Sequence, residues 1–229
     1  MTGPASLRAD LIGTVADRLR QLIVTGQLAP GAALIEREVG RRLDVSRGTA
    51  RAALRSLQHE GYVRSDSVER YARFSVAPLT MDDLADLSSI MAALDGTAAR
   101  MAAEVEPKAR AQLASRLTEI NDHLSDSIGS RAGVKKAHEL DRRFHEAYVT
   151  AAGPRLRGQW SATHAHLHRY AQLYSSALAR RSVTEHRAII AAIRAGKAPA
   201  AQAAAERNWL ASVARAARGI RVAGERGVW

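Results

Sequence analysis

The stretch VSRGTARAALRSLQHEGYV, residues 45–63, decides how this chain is to be read. Ser46 is a residue type that caps helix N-termini, and Gly61 is one that ends them. Between the two, Ala50, Ala53, Leu54 and Leu57 recur on one helical face. Arg47, Arg51 and Arg55 recur at i, i+4, i+8 with no acidic residue among them, giving a basic stripe opposite the apolar one. A helix of this build can enter the major groove with its N-terminal side chains at base edges. An arginine there can bond guanine with both ends of its fork, for about 1–3 kcal/mol of discrimination. Thr49 and the amides near Ser46 are placed to hold a phosphate at the helix N-terminus. The plainer alternative is a solvated arginine face on an Ala-rich helix.

The neighbours of this stretch decide between the two. Upstream, residues 9–25 carry Leu11, Val15, Leu19, Leu22 and Ile23 at helical spacing, and Gly26 ends that helix. GQLAPGAAL (26–34) is a turn-rich connector, and 35–42 form a short helix with Ile35 and Val39 inward. Downstream, Tyr62, Val63, Phe74 and Val76 alternate as the strands of a hairpin. Arg64, Arg70 and Arg73 on it are candidate phosphate contacts, and His59 reads as a half-buried capping residue. Three helices and a hairpin within about 70 residues follow the order of a winged helix-turn-helix.

The wording of residues 45–63 resembles the recognition segment of the GntR family of bacterial transcription regulators. Gly26-Gln-Leu-Ala-Pro-Gly31 and Leu34-Ile-Glu-Arg-Glu-Val39 are similar to the same family at the expected distances. The resemblance implies that Arg37, Arg47 and Arg51 contact DNA, with Gly48 and Thr49 close to its backbone; Ser46, Arg55 and Arg73 complete the expected interface. The wing, SDSVERYARF, lacks the glycine often found at its tip.

Ala77-Pro-Leu-Thr80 reads as a domain boundary, dividing the chain into 1–77 and 78–229. Beyond it only helices are expected, at 81–103, 107–128, 132–152, 155–180, 183–195 and 198–217, forming an antiparallel bundle. Pro107, Pro154 and Pro199 fall near helix starts, and Ser182-Val-Thr-Glu185 matches a capping box. The tail from Gly219 has no clear period. The predicted fold class is therefore mainly α, a winged helix-turn-helix followed by a helical bundle.

Within the bundle, HELDRRFHEAY (138–148) sets Asp141 and His145 one turn apart on one face, with His138 a turn earlier. A carboxylate and an imidazole at that spacing suit a divalent metal or acid–base chemistry, and equally an ordinary surface pair. Asp141-Arg-Arg-Phe-His145 and Glu185-His-Arg-Ala-Ile-Ile190 resemble the FadR branch of the GntR family and its FCD effector domain, in the shorter VanR-like version. That resemblance implies a divalent ion, zinc or similar, held by Asp141, His145 and His186. Where the branch usually has a further histidine this chain has Asn208, a weaker and neutral ligand. His164 or His168 could replace it, or line the effector pocket without metal.

The branch often carries an arginine a turn before a Leu-Glu pair. Leu94-Asp95 looks like that pair, and Met91 stands at the arginine position. Arg100, Arg142, Arg143 and Arg169 are possible substitutes for the clamp, with Met91, Trp160 and Tyr174 as apolar wall. Met91, Arg100, Arg142, Trp160, His164 and His168 are thus the expected effector contacts.

Composition sets outer limits. Cysteine is absent, which excludes disulfides and thiolate metal sites and points to the cytoplasm. The N-terminus lacks the apolar core of a secretory signal, and no apolar run approaches the roughly 20 residues that span a bilayer, so no membrane partner is expected. The net charge of +11 favours a polyanion partner, although the excess is spread over both halves of the chain. The expected function is a ligand-responsive regulator, a repressor acting as a homodimer on a near-palindromic operator, and not an enzyme. Two alternatives stand beside it: a metal-dependent enzyme built on Asp141, His145 and His186, and a scaffold that binds DNA without sequence preference.

Overall fold

The computed structural model describes residues 4–66, 73–128, 133–171 and 179–224. Arg70, Tyr174 and the last five residues lie outside them. The chain divides into two compact units, Met1–Thr80 and Met81–Val228.

In the first unit, α1 (Pro4–Val24) and α3 (Arg47–His59) pack together, and α2 (Glu36–Leu43) lies against α3. Their shared core is Val15, Ala16, Leu19 and Ile23 from α1 with Ala50, Ala53, Leu54 and Leu57 from α3. Such spacing buries one stripe of each helix and leaves the opposite stripe to polar residues. Strands β2 (Val63–Ser65) and β3 (Phe74–Val76) pair antiparallel, Val63 opposite Val76 and Ser65 opposite Phe74. A third strand, β1 (Ala33–Leu34), joins the other edge of β3, so the sheet order is β1-β3-β2. The connector expected over 26–34 is therefore partly strand.

Ile35 corrects the sequence reading. It caps α2 at its N-terminus and is 51% exposed, whereas Leu34 before it is buried. The residue just outside a helix follows the strand's alternation, not the helix's period. His59 likewise ends α3 as an exposed residue.

The second unit is all helical: α4 (Met81–Glu104), α5 (Pro107–Ser127), α6 (Gly133–Val149), α7 (Pro154–Ala171), α8 (Ala179–Arg194) and α9 (Ala198–Gly224). Long α4 runs against α9 and also meets α6, α7 and α8, while α5 packs on α6 and α8. Ala98, Ala99, Ala102 and Ala103 of α4 and Ala201, Ala204 and Ala205 of α9 are buried, and small side chains let helix axes approach closely. The larger core residues include Leu84, Met91, Leu117, Leu124, Phe144, Tyr148, Trp160, Tyr170, Ile189 and Ile193.

Two expectations here are revised. Helix α8 begins at Ala179, so Ser182 stands inside it and does not cap it. Helix α9 runs on to Gly224, past the expected end at 217. No helix among the described residues is long and apolar enough to cross a membrane.

Candidate functional site

The N-terminal end of α3 is built by its own side chains. Ser46 is extended (φ −61°, ψ 150°) and its Oγ accepts from the Thr49 amide at 3.1 Å, satisfying one of the helix's orphan donors. Thr49 departs from the expected phosphate contact. Its side chain is turned inward, 5% exposed, and its hydroxyl lies 2.8 Å from Ser46 Oγ. It therefore braces the cap. Ser46 and Gly48 are exposed at the tip.

The turn into α3 depends on two backbone features. Asp44 takes the left-handed conformation (φ 52°, ψ 50°) that caps α2, and its amide donates to Gly40 O. A Cβ on Gly40 would stand 2.8 Å from the Val45 carbonyl oxygen, so only glycine allows this approach.

Arg47 and Arg51 converge on one carboxylate. Glu36, the first residue of α2 and nearly buried, accepts from Arg47 Nε at 2.8 Å through Oε2 and from Arg51 Nε at 2.6 Å through Oε1. Burial pushes the Glu36 carboxyl up, but the hydrogen bonds and charges of both arginines outweigh it and hold the group below its ordinary value. The Arg47 side chain remains 68% exposed and that of Arg51 31%. Both are thus held by Nε; Arg47 has much of its length outside, whereas Arg51 is mostly covered. Arg37 is exposed on α2. Arg55 leaves the stripe: its guanidinium lies 5.3 Å over the Phe74 ring and donates to Gln58 Oε1 at 3.0 Å. Arg73 is exposed at the root of the wing, where its amide donates to Asp66 Oδ1.

In the helical unit, Asp141 and His145 of α6 meet His186 of α8, with one donor atom from each lying within 4.8 Å of the others. His145 and His186 are buried and Asp141 is half-exposed. His145 sets Nδ1 at 3.0 Å from Asp95 Oδ2 and at 2.7 Å from the Tyr148 hydroxyl. Tyr148 in turn donates to Asp95 Oδ2, and Trp160 Nε1 donates to Asp95 Oδ1 at 2.8 Å. His186 places Nδ1 at 3.0 Å from Asn121 Oδ1, an orientation fixed because Asn121 Nδ2 donates to Val183 O. In the neutral rings the proton therefore sits on Nδ1, and Nε2 carries the lone pair. His186 directs Nε2 at Asp141 Oδ1, 3.5 Å away. Two imidazoles backed at Nδ1 by oxygen and joined by a carboxylate are a donor set that fits a divalent ion. Phe144 stacks on His186 at 3.7 Å and fixes its plane.

Burial works against charge on His145, but Asp95 and Asp141 hold its pKa above the ordinary value. Burial and Asp95 carry Tyr148 well up. His164 is pushed down to about 3 by burial, reinforced by His145, His168 and Arg142. Neutral and stacked on Trp160 at 4.8 Å, it lies outside the Asp141 group, as does His168 a turn further on.

The remaining expected residues divide. Met91 is fully buried a turn before Asp95. Arg100 is turned out to Glu104, 2.7 Å away, and does not reach the cluster. Arg142 is held on its own helix by Glu139 and Glu146. Asn208 is buried and donates through Nδ2 to Glu185 Oε2 at 2.8 Å, leaving its carbonyl oxygen as the atom an ion would use.

Sequence reasoning missed Asp95, Asn121, Tyr148 and Glu36. For Asp95 a signal existed: Leu84, Ser88, Met91, Asp95, Ala98 and Ala102 follow the buried stripe of α4, and a carboxylate on such a stripe needs partners. Asn121 and Glu36 gave none, because their partners lie on other helices.

Residues 11–68 match the family "Bacterial regulatory proteins, gntR family", and residues 86–210 match the FCD domain. The chain is 31% identical over 145 residues to the HTH-type transcriptional regulator BphR of Paraburkholderia xenovorans; the match covers 62% of this chain and 57% of that protein. It is 28% identical to an HTH-type transcriptional regulator of Streptomyces ambofaciens, over 82% of this chain and 77% of the other. Among solved structures, E. coli McbR/YncC shares the fold with a TM-score of 0.65 at 21% identity, covering 91% of this chain and 97% of that one. A GntR transcriptional regulator from Rhodococcus sp. RHA1 does so with 0.62 at 22% identity, covering 90% and 96%.

Proposed function

The chain belongs to the GntR family of transcription regulators with an FCD domain, and on that premise we propose that it is a cytoplasmic, ligand-responsive repressor that binds a near-palindromic operator as a homodimer. The observation that carries this reading is the single buried carboxylate of Glu36 holding Arg47 and Arg51 by their Nε atoms at the tip of α3. Two such helices in a two-fold dimer would enter successive major grooves, about 34 Å apart. Arg47 and Arg51 read base edges; Arg37, Arg73, Ser46 and the Gly48 backbone meet phosphates.

The effector is a small organic acid in the helical unit. Asp141, His145 and His186 would hold a divalent ion, with the Asn208 oxygen as a weaker fourth donor. With three firm protein ligands and Asn208 a weak, displaceable one, such an ion when bound would offer a coordination position to a ligand's oxygen. Met91, Trp160, His164 and His168 form the surrounding wall. Effector binding shifts the population between two arrangements of the protein, with the segment at Pro78 and α4 as the route. As a transcription regulator the protein is not an enzyme, and the alternative of a metal-dependent enzyme on the same residues falls away.

Selection from a random-sequence DNA pool tests the reading. The expected outcome is enrichment of two half-sites related by two-fold symmetry, bound at least about a thousandfold more tightly than random DNA. A pool that binds without enrichment would replace this function with the non-specific scaffold.

A further inference from the structure

A second charged feature of the helical unit lies outside the Asp141 group. A pocket of about 290 Å³ opens between α5, α6 and α7. From α6 it is lined by Val149 and by the stripe Arg143, Glu146 and Ala147, with Thr150 just beyond the helix end. At 100° per residue this stripe faces away from Asp141 and His145, so the pocket is on the other side of the helix. Arg116 of α5 and Arg157 of α7 complete it, and buried Trp160 forms part of its floor. Among the described residues Arg116, Arg143 and Arg157 make no ion pair, whereas Arg20, Arg47, Arg51, Arg100 and Arg142 all do. Glu146, the acidic residue of the lining, is bound to Arg142, so the lining sets three positive charges against one negative.

Three guanidiniums from three helices around a concave surface with an apolar floor form a receptor for an anion. We propose that this pocket is a second ligand site, which takes a compact oxyanion carrying two or more carboxylate or phosphate charges. Its volume is at the low end for small-molecule pockets, which limits the ligand to roughly the size of a short polycarboxylic acid. Trp160 touches both regions, since its ring lines the pocket while its Nε1 donates to Asp95 beneath His145.

The test uses the full chain with citrate and inorganic phosphate as probes, against sodium chloride at matched ionic strength. Calorimetric titration and thermal unfolding are measured for wild type, Arg143→Gln, Arg157→Gln and Asp141→Asn. Saturable binding of citrate, phosphate or both is expected, and the probe that binds identifies the source of the charge. Each arginine variant should weaken it at least tenfold. Both arginines are exposed, so circular dichroism should show the fold unchanged. Asp141→Asn, which disables the inner group, should bind the anion as wild type does; a loss there would assign the anion to the inner site and overturn the proposal. Equal behaviour of both probes and chloride, or arginine variants that bind like wild type, would also overturn it.

Discussion

Glu36 is the residue on which the DNA-binding end turns. A nearly buried carboxylate is tolerated because two guanidiniums surround it, and the arginines are aligned because the carboxylate is fixed. Glu36→Gln should keep the fold at neutral pH yet weaken operator binding about tenfold, the equivalent of roughly 1.4 kcal/mol, as measured by fluorescence anisotropy. The same residue gives a pH signature. Its pKa is lowered in the folded state, so its stabilisation is present above the ordinary carboxylate range and is lost as pH falls through the folded value. Thermal unfolding of wild type and Glu36→Gln should therefore differ at pH 7 and converge in acid. In the helical unit Asp95 has the corresponding role, fixing the His145 ring through Nδ1. Asp95→Asn should lower zinc affinity about 10–100-fold, read by equilibrium dialysis, as for outer-shell partners in general. Unchanged affinity would mean that His145 does not bind the ion.

Apolar residues recurring every three to four positions made α3 legible and placed most of α1, although α1 starts at Pro4, ahead of the expected 9; the start signals at Thr80 and Pro107 placed α4 and α5. Strand β1 was not legible, because two residues beside a turn carry no period and take strand form only through pairing with β3. The start of α8 was misread for a related reason: Ser182 and Glu185 have capping-box spacing, but Glu185 instead accepts from Asn208 on α9. Local pattern predicts an element; a partner far along the chain moves its edges. The turn between α2 and α3 is the place where local sequence is strictest. Gly40→Ala should cost about 1–3 kcal/mol, since the new Cβ meets backbone that must shift, and denaturant unfolding reads the cost directly. Stability equal to wild type would mean that the turn relaxes freely.

The proposed regulator joins a DNA-reading unit to a helical unit with two candidate sites of different chemistry. Of the first, the position of α3 and the arginines along it was legible because these residues are consecutive in sequence. Of the second, Asp141 and His145 were legible as an i, i+4 pair, but the network of Asp95, Tyr148, Trp160 and Asn121 was not, because it is assembled from α4, α5, α6 and α7. Everything attributed to the regulator rests on the tip of α3 meeting duplex DNA. The most direct test is the affinity of wild type and Arg47→Ala for the selected operator at one fixed salt concentration. The expected result is a loss of at least tenfold with unfolding unchanged, because Arg47 is exposed and its removal leaves Glu36 bound to Arg51. Equal affinity of the two proteins would contradict the account.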